Sequence, residues 1–149
     1  MAYEVPVQYA FISVNGVDLS NHARNISLNV GQETVDGSAF GTARRQFRAG
    51  AGHAPRVECE LFQDHASGSV ESTLRALISS TSTGFAVIVQ PKGGSATNPT
   101  STNNPKYTIT AVYDGDLMAM SHVYGELPML NAAFLSYDGA LTIGTTATS

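Results

Sequence analysis

Charge is what this 149-residue chain has least of: charged side chains make up 13% of it, about half the ~25% usual in soluble domains. Ser, Thr, Gly, Ala and Asn take their place. A polar but weakly charged surface loses little when covered, because few ions must be desolvated. That composition favours burial against other subunits. Eight Lys and Arg stand against twelve Asp and Glu, for a net charge of −4. General affinity for nucleic acid needs basic residues to displace counterions from phosphates, so the balance argues against a protein that grips DNA. Tryptophan is absent and cysteine occurs once, as Cys59. This excludes an internal disulfide and fits synthesis in a reducing cytoplasm. The start, Met1-Ala-Tyr-Glu-Val-Pro6, lacks the basic and then apolar regions of a signal peptide. No apolar run approaches the ~20 residues of a membrane span, so no membrane anchor is expected.

What is present reads as β-structure. Hydrophobic residues reach 42%, and a chain of this length buries about 70% of its unfolded surface, enough for one domain over 1–149. Strand signals run over Val5–Val14, Ile26–Val30 with Val35 as an extension, Arg56–Gln63, Phe85–Val89, Tyr107–Tyr113, Leu117–Tyr124 and Pro128–Tyr137. The clearest is Arg56–Gln63, where Val57, Cys59 and Leu61 point one way and Arg56, Glu58, Glu60 and Phe62 the other. Asn15-Gly16, Asp114-Gly115 and Asp138-Gly139 are turn signals, since these residues tolerate positive φ. One helix is expected over 69–80, from the stripe Val70, Leu74, Leu77 and Ile78, with Ser69 as cap and Glu71 suited to the positive helix start. Ala140–Ser149 is a weak tail anchored by Leu141 and Ile143. Strands with a single helix exclude a parallel α/β fold and point to an antiparallel sandwich or barrel.

Two stretches break the pattern. Gly31–Ala54 is rich in glycine and reads as a long inter-strand loop; 91–104, rich in Gly, Pro, Ser, Thr and Asn, reads as a flexible one. The first holds Arg44, Arg45 and Arg48 around Phe47, with Phe40 nearby. Phosphate binding, docking on an acidic partner, subunit contact and a plain solvated loop compete there; the aromatic among arginines favours protein contact.

Chemistry is sparse. His22, His53, His65 and His122 lack the i, i+4 spacing of a helical metal pair, and no second cysteine exists. Asp64-His65 suggests part of a triad, but no Ser sits in a G-x-S-x-G elbow; a strand end leading into a helix is the plainer reading. Glu58 and Glu60 share a strand face, as an acid/base pair would, yet alternation alone accounts for their direction. Asp114-Gly-Asp116 is a calcium-loop fragment without the remaining carboxylates. No enzyme activity, catalytic residue, metal or cofactor is expected.

The phrases Phe11-Ile-Ser-Val-Asn-Gly-Val-Asp-Leu-Ser20, Ile26-Ser-Leu-Asn-Val30, Thr34-Val-Asp36 through Arg45-Gln-Phe47, and Val57-Glu-Cys-Glu-Leu-Phe-Gln-Asp64, followed by Ser69-Val70 and Leu74, Thr97-Asn-Pro99, Pro105-Lys-Tyr-Thr108 and Gly139-Ala-Leu141, carry a resemblance. Together they resemble the major tail tube proteins of bacteriophages with long non-contractile tails, a family related in fold to type VI secretion tubes. The resemblance implies a mainly-β fold: a β-sandwich or partly closed antiparallel barrel with one flanking α-helix and a long inter-strand loop. It further implies a structural virion protein, made in the host bacterial cytoplasm, that self-assembles into stacked hexameric rings. Their joined sheets line a conduit for DNA ejection, and DNA passes without specific binding. Tape measure, terminator and distal tail proteins are the implied partners. The 31–54 loop would reach a neighbouring ring through Phe40, Arg44, Arg45, Phe47 and Arg48. Glu58, Glu60, Asp114 and Asp116 are candidates to face the lumen, where like charge repels phosphate. Other readings are a tail terminator or head-decoration protein, and a ligand-binding β-sandwich, which the absence of Trp disfavours.

Overall fold

The computed structural model describes residues 10–41, 43–78, 84–93, 99–117, 120 and 122–146. The chain runs through β1 (Phe11–Val14), β2 (Val17–Asp18), a 3-10 turn (Ser20–His22), β3 (Ala23–Asp36), β4 (Phe47–Phe62), α1 (Val70–Ile78), β5 (Phe85–Gln90), β6 (Lys106–Tyr113), β7 (Met129–Ser136) and β8 (Thr142–Gly144). The strands form one antiparallel, unclosed eight-stranded sheet in the order β2-β1-β5-β6-β7-β4-β3, with β8 alongside β6. The mainly-β class with a single helix, expected from the pattern of strand signals, is what the structure has.

Alternation dictates which face is buried. Val57, Cys59 and Leu61 of β4 lie inward with Leu130, Ala132 and Phe134 of β7, Ile109 and Ala111 of β6, and Val87 and Val89 of β5. Ile12 and Val14, at the other end of the strand order, join the same cluster, so the twist that strands accumulate wraps the sheet around one core. The helix stripe Val70, Leu74 and Leu77 covers it, while Ile78, in the last described turn, stays 45% exposed. Phe134 is the largest fully buried side chain. Phe85 and Tyr113 meet its ring edge-on, at centroid distances of 5.8 and 5.6 Å.

The Asn15-Gly16 turn forms as expected: φ of 49° and 81° at the two residues gives the primed twist that a two-residue hairpin needs. Gly84 is required for a different reason. Its φ is +95°, and a Cβ there would lie 2.9 Å from Thr110 Cγ2 and 3.0 Å from the Ala111 carbonyl oxygen.

Several segments differ from their sequence reading. The long connection lies between β3 and β4, but most of 31–54 is paired backbone: Gly31↔His53, Gln32↔Gly52, Thr34↔Ala49 and Asp36↔Phe47 are cross-strand partners. Only 37–46 is loop. Leu117–Tyr124 holds no strand among its described residues; its apolar side chains Met120, Val123 and Tyr124 are exposed. The tail contains β8, which pairs with the first half of β6 while β7 pairs with the second. Around the 91–104 loop, the buried Asn104 accepts from Lys92 N–H (3.0 Å) and donates to the carbonyls of Gly93 (2.7 Å) and Pro99 (3.3 Å). The expected strand at Val5–Tyr9, the helix end beyond Ile78 and the centre of the 91–104 loop lie outside the described residues.

Candidate functional site

Two surfaces stand apart from the core. The first is an arm. Strand β4 pairs with β7 over Arg56–Phe62, so from Pro55 back to Phe47 its one strand partner among the described residues is β3. The outer half of the β3–β4 hairpin therefore projects from the body as a two-stranded ribbon. It buries almost nothing: Val30, Val35 and Phe47 are more than half exposed and Phe40 is fully so. Its tip is ordered by local bonds. Gly37 N–H donates to the Gln46 carbonyl (2.8 Å), Gln46 N–H to Ser38 Oγ (2.8 Å) and Ser38 N–H to Asp36 Oδ1 (2.9 Å). The Ser38 side chain and N–H hold the Asp36 carboxyl below its ordinary value. Phe40, Arg44, Arg45, Phe47 and Arg48 all fall at this tip and all are exposed.

The second surface is a groove of about 490 Å³ on the outer face of the sheet, lined by Glu58, Glu60, Asp114 and Asp116 together with Asn25, Ser27, Arg56 and Asn131. The four carboxylates named from the sequence thus share one place. Strand register brings Ser27 and Ala133 alongside Glu58, and Asn25 and Asn131 alongside Glu60. Arg56 sits among them, donating through Nε to Glu58 Oε1 (2.7 Å) and through Nη1 to Asp114. These two carboxylates, Glu58 first, raise the Arg56 pKa. The sequence reading missed this arginine's part, because its partnership with Asp114 depends on β7 lying between β4 and β6.

Residues weighed for catalysis are arranged otherwise. Asp64 Oδ2 accepts from the Ser69 hydroxyl (2.8 Å) and lies 3.1 Å from His22 Nε2. A nucleophile needs the imidazole beside it and the carboxylate behind. Here the carboxylate is in the middle, so His22 is not placed to take the Ser69 proton. The arrangement instead secures the start of α1, where the Asp64 carbonyl accepts from Glu71 N–H (3.1 Å). Cys59 is buried, and desolvation pushes its thiol up to about 12, so it remains a neutral core side chain. Among the described residues no three His, Cys, Asp or Glu side chains converge as metal ligands. No described helix is long and apolar enough to cross a membrane.

No protein-family model matches the chain, and no curated protein does. Solved structures do match in fold. The sheath/tube terminator of the PVC extracellular contractile injection system, in its extended state, aligns with a TM-score of 0.67 at 8% identity, over 97% of this chain and 99% of that one. The tube-terminating cap of the anti-feeding prophage gives 0.67 at 12% identity, over 98% and 95%. A structure of the tail of the empty gene transfer agent particle, with C6 symmetry, gives 0.59 at 13%, over 93% and 95%. The chain therefore has, over nearly its whole length, the fold seen in structures of an injection system's sheath/tube terminator, a prophage tube-terminating cap and a gene transfer agent tail. At these identities the fold is what is shared.

Proposed function

We propose that this protein is a structural, non-enzymatic subunit of a phage-type tail, and that it builds the tail tube by forming stacked rings of six copies. The projecting arm carries the reading. A ribbon that exposes Val30, Val35, Phe40 and Phe47 gains stability only when another molecule covers it. The fold likeness supplies the setting, and the C6 symmetry of one matching tail supports six copies. Strand β3 adds to the case. Among the described residues it ends the strand order and pairs only with β4, so there it offers a 14-residue strand with an open side, which pairing between copies would close.

On this reading the groove of Glu58, Glu60, Asp114 and Asp116 faces the lumen. Each copy brings these four carboxylates against Arg56 alone, so a ring's inner wall is anionic and DNA phosphates slide past it unbound. Tape measure, terminator and distal tail proteins would meet the tube along its bore and at its ends.

A second reading, a ring-forming tube terminator, is favoured by the terminator and the cap among the matching structures. Sedimentation velocity across a concentration series separates the two. A tube subunit grows without limit as concentration rises; a terminator stops at one ring.

A further inference from the structure

The large exposed hydrophobics fall mainly into two groups: Val30, Val35, Phe40 and Phe47 on the arm, and Met120, Val123, Tyr124 and Leu127 in the connection before β7. The second group belongs to no strand and to neither surface described above. It is nonetheless ordered. Glu126 N–H donates to the Val123 carbonyl (3.1 Å), and Gly125 has φ 82°, which closes a tight turn with Tyr124, fully exposed, at its corner.

The two groups lie at opposite ends of one long strand. The arm tip is at the Phe47 end of β4. The turn is at the Phe62 end: Gln63 N–H donates to the Pro128 carbonyl (3.0 Å), and the His65 and His122 rings are 6.2 Å apart. Strand β4 has 16 residues, so the groups are separated by about 50 Å at ~3.3 Å per residue. A strand of that length does not fold its own tip back onto its other end. Two separate copies aligned along the strand bring tip and turn together.

The chemistry of the two ends is complementary. Between Asp36 and Arg48 the formally charged residues are Asp36, Arg44, Arg45 and Arg48, which leaves the tip net positive; between Met120 and Pro128 the one such residue is Glu126. One end is apolar and cationic, the other apolar and anionic, and Tyr124 offers an open ring face to a guanidinium. We infer that the Val123–Leu127 turn is the receptor for the arm tip of a second copy of this chain in the next ring. The inference rests on the proposed tube. It deepens that reading by naming the surface on which the arm lands and by making the contact head-to-tail. Such an interface does not close on itself and so propagates, giving the tube a direction.

The test compares wild type, a tip variant (Phe40→Ala with Phe47→Ala), a receptor variant (Tyr124→Ala with Leu127→Ala) and a mixture of the two variants. Pelleting and negative-stain microscopy read the outcome, and circular dichroism checks each fold. Wild type forms tubes. Each variant alone raises the concentration needed for tubes by roughly tenfold or more, as loss of a hot spot does. The mixture yields short stacks, because an intact tip meets an intact turn but cannot propagate. Wild type without tubes overturns both the tube and the receptor. Wild-type tubes together with normal tubes from the receptor variant overturn the receptor alone. If the receptor variant fails to fold, chains with one added cysteine, Phe40→Cys and Tyr124→Cys, mixed and oxidised, give the answer, the native Cys59 being buried. Mixed disulfides between the two chains support the contact; disulfides only between like chains overturn it.

Discussion

Arg56 on β4 bonds Asp114, which lies just past the end of β6 on the far side of β7. The same guanidinium bonds Glu58 on its own strand (2.7 Å), so one side chain links β4 to the end of β6 across β7 at the floor of the acidic groove. Its partners are between a third and a half exposed, which limits the energy of each pair. Arg56→Ala is therefore expected to lower stability by about 1 kcal/mol, part of it lost packing of the arginine stem. It also leaves the groove with four unopposed carboxylates. Urea unfolding at low and high salt checks this; an unchanged midpoint would count against a bridging role.

Phe134 is the largest fully buried side chain among the described residues. Phe85 and Tyr113 pack edge-on against it. Phe134→Ala is expected to cost about 3–5 kcal/mol, enough to unfold a marginal domain. A loss under 1 kcal/mol in thermal or urea unfolding would show that the core is not organised as described.

Asn104 holds the neck of the 91–104 loop through three backbone contacts while itself nearly fully buried. Asn104→Ala strands the Lys92 N–H and the Gly93 carbonyl, at a cost of about 2–3 kcal/mol. Hydrogen exchange of the Lys92 amide should quicken markedly in the variant; protection equal to wild type would refute the clamp.

Acid should loosen the start of α1. The Asp64 carboxyl is held below its ordinary value by the Ala66 N–H first, then the Ser69 hydroxyl, with His22 adding less. A folded-state pKa below the unfolded value of about 4 means the stabilisation is complete above that pH. It is lost as pH falls through the folded value. Asp138, held down mainly by the Ala140 N–H, acts in the same direction. Asp64→Asn is expected to flatten the fall in urea midpoint between neutral pH and the acid range. An acid limb as steep as wild type would assign the acid sensitivity elsewhere.

How much the sequence disclosed follows the burial. Val57, Cys59 and Leu61 on β4 and the stripe Val70, Leu74 and Leu77 were legible because one face of each element is dry, which leaves a period of two or 3.6 in the residues. The arm was not legible as a hairpin. Both its faces are wet, so no alternation marks it, and its pairing is a property of the backbone. Leu117–Tyr124 misled for the opposite reason: apolar residues signalled a strand, yet Met120, Val123 and Tyr124 are exposed. Alternation alone puts Glu58 and Glu60 on a common face. Their grouping with Asp114 and Asp116 follows from the order β6-β7-β4, which no local pattern encodes. Asn104 was hidden in a run whose composition suggested only a flexible loop.

The central claim is that this chain assembles with itself into rings that stack. Negative-stain electron microscopy of the purified wild-type protein at high concentration tests it most directly. The account predicts rings with a central channel and rod-like stacks of them. Uniform single-chain particles at every concentration, with neither rings nor rods, would contradict it.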